Sequence, residues 1–140
     1  MCMYLNDNSL FFSEQGYHRL VSKEEAYEIL QRAEDNGLVH EINQTPGFED
    51  ATAICNCCGC CCEALQAARR FAPMQPVATT NYIPSVNMET CIGCGKCAKN
   101  CPAGAISGKI KSPYHINNDV CIKCGSCKDN CNFDAIYVEM

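Results

Sequence analysis

Two stretches of this chain, CIGCGKCAKNCPAGAI at residues 91–106 and CIKCGSCKDNCNFDAI at residues 121–136, are offset by 30 residues and agree at 9 of 16 positions. Each reads C-x2-C-x2-C-x3-C. Three cysteines at x2 spacing in a tight loop can bring three sulfurs to one compact metal centre. The fourth follows on a short helical turn that points away from that centre. Gly93, Gly95 and Gly125 let the loops fold closely and turn backbone N–H groups inward.

The spacing is that of bacterial-type [4Fe–4S] ligation. Two zinc sites are the competing reading, since paired C-x2-C steps also bind zinc. A zinc ribbon, however, needs two cysteine pairs and not a duplicated triplet plus one. Residues 82–140 resemble the two-cluster bacterial ferredoxin family. The resemblance implies that Cys91, Cys94, Cys97 and Cys131 hold one [4Fe–4S] cluster and that Cys121, Cys124, Cys127 and Cys101 hold the second. Pro102, after the last cysteine of the first motif, fits the family, whereas Asn132 stands there in the second. The rest of the segment agrees. Residues 81–87 (NYIPSVN) and 135–139 (AIYVE) read as strands, which the resemblance implies pair antiparallel. Residues 105–111 and 114–117 read as a second hairpin turning at Ser112-Pro113. Residues 98–101 and 128–131 read as single helical turns.

Working outward, the apolar fraction of 47% includes 15 cysteines. Without them little more than a third of the chain is apolar, a thin core for 140 residues. Metal is the expected supplement, because the cysteines are bunched and not spread as in a disulfide framework. Residues 1–20 carry Asp7, Glu14 and Arg19 and lack a secretory pattern. No stretch is apolar enough to span a membrane. A reducing cytoplasm and an anaerobic setting are expected. The net charge of −5 disfavours nucleic acid and suits docking to a basic patch on a protein partner.

In the first half, Ser22 and Glu25 are spaced as a capping box, Ala26, Ile29, Leu30 and Ala33 recur at helical spacing, and Gly37 is the stop. A helix over residues 23–36 is expected, then a strand at 38–42, a loop at 45–50 and a second helix at 63–71. Ala64, Leu65, Ala68 and Phe71 would lie on one face of that helix. A linker at 74–80 separates residues 1–76 from 77–140. The fold class expected is α+β: a ferredoxin-like module preceded by a small, mostly helical, cysteine-rich region.

That region contains ICNCCGCCCEAL, residues 54–65, in which Cys55, Cys57, Cys58, Cys60, Cys61 and Cys62 crowd together at the start of the second helix. Six exposed free thiols are an oxidation liability, and a disulfide between direct neighbours is strained. A third metal centre is therefore expected. Iron–sulfur fits the redox module that follows, with zinc, copper(I) and thiol–disulfide exchange as alternatives. The centre is either a standard cubane with spare thiols or a larger, non-standard cluster. The stretch, after Gly37-Leu38-Val39-His40, resembles one found before a two-cluster module in a group of iron–sulfur proteins of anaerobic bacteria. Cys2 stands apart and reads as a free thiol, and His40 as an ordinary strand histidine. His18 and His115 have no partner pattern.

The function expected is single-electron transfer at low potential to a redox-enzyme partner. The alternatives are an electron-feeding subunit of a larger oxidoreductase, or a redox catalyst at the six-cysteine site. No G-x-G-x-x-G or P-loop is present.

Overall fold

The computed structural model describes residues 2–44, 50–71 and 80–139. Of the expected loop at 45–50 and the expected linker at 74–80, residues 45–49 and 74–79 lie outside the described residues, as does the boundary between 76 and 77. The chain divides into two compact units, Met1–Cys57 and Cys58–Met140. Both mix short helices and strands.

The first unit holds β1 (Cys2–Tyr4), α1 (Asn6–Glu14), α2 (Lys23–Asp35), β2 (Val39–Asn43) and β3 (Ala53–Cys57). The Ser22 hydroxyl caps α2 by accepting the Glu25 N–H at 3.2 Å. The Glu25 carboxylate is engaged by Arg19, so the second half of the expected box is replaced by an ion pair. At the other end, Gly37 N–H reaches Glu34 O at 2.8 Å and Leu38 N–H reaches Ala33 O at 3.0 Å. With Gly37 at φ 69°, this is the paired-bond stop that a left-handed C′ glycine allows.

The strands form an antiparallel sheet in the order β1-β3-β2. To the expected strand at 38–42 the structure thus adds two more, β1 and β3, and a three-stranded sheet beside the helices. β3 is its centre, paired on one side with the preceding strand β2 and on the other with β1 from the start of the sequence. α1 was not anticipated either. It buries no residue, and its apolar positions lack helical spacing. Phe12 anchors it locally, with its ring 4.6 Å from Tyr4 and 5.7 Å from His18.

The second unit begins with α3 (Glu63–Arg70), which buries Leu65 and Ala68. Phe71 lies just past the helix end and is 64% exposed, so the expected apolar face stops at Ala68. There follow β4 (Ile83–Val86), α4 (Lys96–Asn100), β5 (Ile106–Ser107), β6 (His115–Ile116), α5 (Ser126–Asp129) and β7 (Ile136–Glu139). β4 pairs antiparallel with β7, and β5 with β6.

The 30-residue repeat governs the backbone as well as the cysteines. Asn87 N–H bonds Ala135 O and Asn117 N–H bonds Ala105 O, both at 2.8 Å. The side chains of the same two asparagines accept the N–H of Glu89 at 2.9 Å and of Asp119 at 3.0 Å. Asn100 Nδ2 donates to Asn130 Oδ1 at 3.0 Å, joining equivalent positions of the two repeats. The core is small: Ile106, Tyr114, Cys127 and Ile136 are buried together, with Cys97, Cys101 and Cys131 packed against them. Among the described residues no helix is long and apolar enough to cross a membrane.

Candidate metal centres

The two cysteine motifs build matching loops. Gly95 and Gly125 precede α4 and α5 in the left-handed conformation, at φ 77° and 85°. Gly93 has a tighter task. A Cβ there would lie 2.4 Å from the backbone N and O of Ser112, so the first loop closes against the β5–β6 connection only with glycine. The equivalent position of the second loop is Lys123, a non-glycine residue at φ 56°.

Two of the cavities that these loops border are lined by four cysteines each. The first, only about 20 Å³, is lined by Cys91, Cys94 and Cys97 of one motif and Cys131 of the other. The second, also about 20 Å³, is lined by Cys121, Cys124 and Cys127 together with Cys101. Val86, Tyr114 and Ile136 wall the first, and Ile106 and Ile122 the second. The eight cysteines are thereby brought into two groups of four, each with three neighbours in sequence and one distant member.

The electrostatics of these thiols follows from that setting. Burial pushes Cys127 up to about 12, with the neighbouring thiols of Cys124, Cys121 and Cys101 adding to the rise. Burial likewise raises Cys97 and Cys121. Left to themselves these sulfurs stay protonated, and a bound cation has to displace the protons. Two sulfurs already receive backbone donors: Ala105 N–H to Cys101 Sγ and Lys123 N–H to Cys121 Sγ, both at 3.3 Å. Such bonds favour the thiolate form. Four soft sulfur donors around an apolar hollow suit a thiophilic metal group and little else.

Residues 83–106 match the family model described as a 4Fe-4S binding domain. The match supports iron–sulfur cluster binding of the ferredoxin type. It spans β4, the first cysteine loop, α4 and β5. A comparison with curated proteins found none that matches the chain.

The six-cysteine stretch is not one local cluster at the start of a helix, as expected. Cys55 and Cys57 belong to β3 of the first unit, where pairing on both sides of the strand overrides any helical tendency. Cys58, Cys60 and Cys61 lie in the following turn, and Cys62 occupies the N-cap of α3. In the turn, Cys58 Sγ is 2.7 Å from Cys60 Sγ and 3.0 Å from Cys61 Sγ. Thiol donation from these two neighbours lowers Cys58 to about 6, while Cys61 rises to about 12. Three sulfurs this close together, from half-buried Cys58 and exposed Cys60 and Cys61, are a donor set suited to a soft cation. Gln66 Nε2 steadies the turn through Cys60 O at 2.9 Å. A Cβ at Gly59 would lie 3.0 Å from Pro102, so the turn packs beside the residue that follows Cys101.

His40 Nδ1 lies 2.6 Å from Asn56 Oδ1, a cross-strand pair in keeping with its reading as a strand histidine. The repeated asparagines, Asn87 and Asn117, were missed as part of the motif. The signal was present, since each stands four residues before the first cysteine of its repeat.

Proposed function

We propose that this protein is an iron–sulfur electron carrier with two [4Fe–4S] clusters, and that a further metal centre lies at the six-cysteine stretch. Cys91, Cys94, Cys97 and Cys131 would hold one cluster, and Cys121, Cys124, Cys127 and Cys101 the other. The observation that carries this reading is the crossed lining of the two cavities. Each takes its fourth sulfur from the other motif. When bound, such clusters supply reversible one-electron transfer at a potential set by hydrogen bonds to sulfur, burial and charge.

The chain's own residues do the rest. Tyr114, Ile106, Ile122 and Ile136 keep water from the hollows. Ala105 and Lys123 direct N–H groups at ligand sulfurs. The net charge of −5 favours a low potential and docking to a basic face on a redox-enzyme partner.

Iron and acid-labile sulfide per chain, measured after anaerobic preparation, test the reading. Two cubanes account for about eight of each. A colourless, zinc-loaded protein would falsify it.

The convergence of Cys58, Cys60 and Cys61 supports a second reading, in which the chain feeds electrons from a third centre into a larger oxidoreductase. Packing of Gly59 on Pro102 brings that turn close to the Cys101 group. Iron beyond the two cubanes, together with co-purification of a flavin- or metal-containing polypeptide, distinguishes this from a free carrier.

A further inference from the structure

The two repeats match in strand register as well as in cysteines. Val86 pairs with Ile136 and Ser85 with Tyr137, just as Ile116 pairs with Ile106 and His115 with Ser107. Residues 30 apart therefore hold equivalent places, and at one place the two repeats differ. In the first repeat the space over Gly95 is filled. A Cβ there would meet Tyr114 Oη at 2.9 Å and Ile110 Cδ1 at 3.1 Å. The buried ring of Tyr114 also lies against Gly108, whose added Cβ would stand 2.6 Å from Cγ. In the second repeat Pro84 stands for Tyr114, Thr80 for Ile110 and Val138 for Gly108. Proline and threonine are too short to refill the space. An added Cβ at Gly125 would meet only Asp129 Oδ2, at 3.8 Å.

The result is a hollow of about 230 Å³, lined by Thr80, Tyr82, Pro84 and Val138 together with Lys123, Lys128 and the second cysteine loop. Tyr82 and Val138 are exposed, so it opens to solvent. It touches Cys124 and Cys127 but not Cys121 or Cys101, so it lies beside the space that the second sulfur group shares. The lysines too belong to this repeat alone, since Gly93 and Ala98 hold their places in the first. Lys123 Nζ donates to Thr80 O at 3.0 Å, which fixes one ammonium at the hollow. An ammonium has three donors, and this bond uses one.

From this difference between the repeats we infer that the hollow binds a small aromatic anion, a single ring bearing a carboxylate. The ring takes the place that Tyr114 fills in the first repeat, against Pro84, Val138 and Tyr82. The carboxylate meets Lys123 and Lys128. The size agrees, since a cavity of roughly 150 Å³ holds benzene and the remainder suits one substituent. Apolar walls with a few placed polar groups are the usual make-up of a small-ligand pocket. The inference goes beyond electron carriage, and it stands whichever metal the cysteines hold.

The test is calorimetric titration of the full chain, purified anaerobically with its metal. The probes are benzoate, benzylamine (the same ring with the opposite charge) and acetate (the carboxylate without a ring). One benzoate per chain is expected to bind, and the other two probes at least about tenfold more weakly. Pro84→Tyr refills the hollow and is expected to abolish benzoate binding. Val138→Trp blocks the same space from β7 and serves if Pro84→Tyr loses its metal. Lys128→Gln is expected to weaken benzoate binding about fivefold. Failure of the wild type to bind benzoate, equal binding of benzylamine, or undiminished binding by a metal-loaded blocking variant overturns the inference. Iron and sulfide counts on the same preparations judge electron carriage separately. Benzoate binding without iron keeps this inference and sinks that reading, and a full iron complement without binding does the reverse.

Discussion

Gly93 and Gly125 separate two roles that glycine plays in cysteine loops. Both adopt left-handed backbone. Around Gly125 the nearest atom to an added Cβ is Asp129 Oδ2 at 3.8 Å, whereas at Gly93 the Ser112 backbone lies at 2.4 Å. Gly125→Ala is therefore expected to cost only the left-handed strain, about 1–2 kcal/mol. Gly93→Ala adds a backbone collision and is expected to cost more than Gly125→Ala, on the order of several kcal/mol. Anaerobic denaturant titration of the loaded protein, followed by cluster absorbance, ranks the two. Equal midpoints would show that the approach of Ser112 is not required. Asn87 and Asn117 matter on the same scale. Each accepts a backbone N–H just before a cysteine loop, so Asn117→Ala is expected to cost about 1 kcal/mol by the same measurement.

At the scale of elements, α2 illustrates a segment that the sequence determines locally. Its cap, its period and its glycine stop all lie within residues 22–38. Ser22→Ala is expected to cost about 1 kcal/mol, read as a lowered midpoint for loss of helix by circular dichroism. The β4–β7 pair was also legible, because the ferredoxin resemblance implied its pairing and the strand patterns agreed. β1 and β3 were not. A three-residue strand such as β1 carries almost no period, and its partner lies some fifty residues away. Alternation of Cys55 and Cys57 did carry a period of two, but adjacent cysteines and the helical pattern of residues 63–70 outweighed it. The site was legible to the same degree. The repeat of the eight motif cysteines is plain in their spacing, whereas the division of the six-cysteine stretch depended on sheet register, which is a long-range property.

Across the whole molecule, the second unit buries few large aliphatic side chains. Its buried cluster is Ile106, Tyr114, Cys127 and Ile136, and three further cysteines pack on it. Cysteine sulfurs thus occupy positions that aliphatic residues fill in ordinary cores. Removing the metal leaves two hollows and exposes apolar walls, so loss of the clusters is expected to unfold β4–β7 and β5–β6 together. Hydrogen exchange of the metal-stripped protein checks this. Protection retained at Asn87 and Asn117, whose N–H groups bond across the repeats, would contradict it. The central claim is the crossing of the ligand sets, and serine substitution read by EPR of the fully reduced protein tests it most directly. Cys131→Ser and Cys91→Ser are predicted to alter the same one of two cluster signals and to leave the other unchanged. A Cys131→Ser spectrum that instead alters the signal changed by Cys121→Ser would contradict the account.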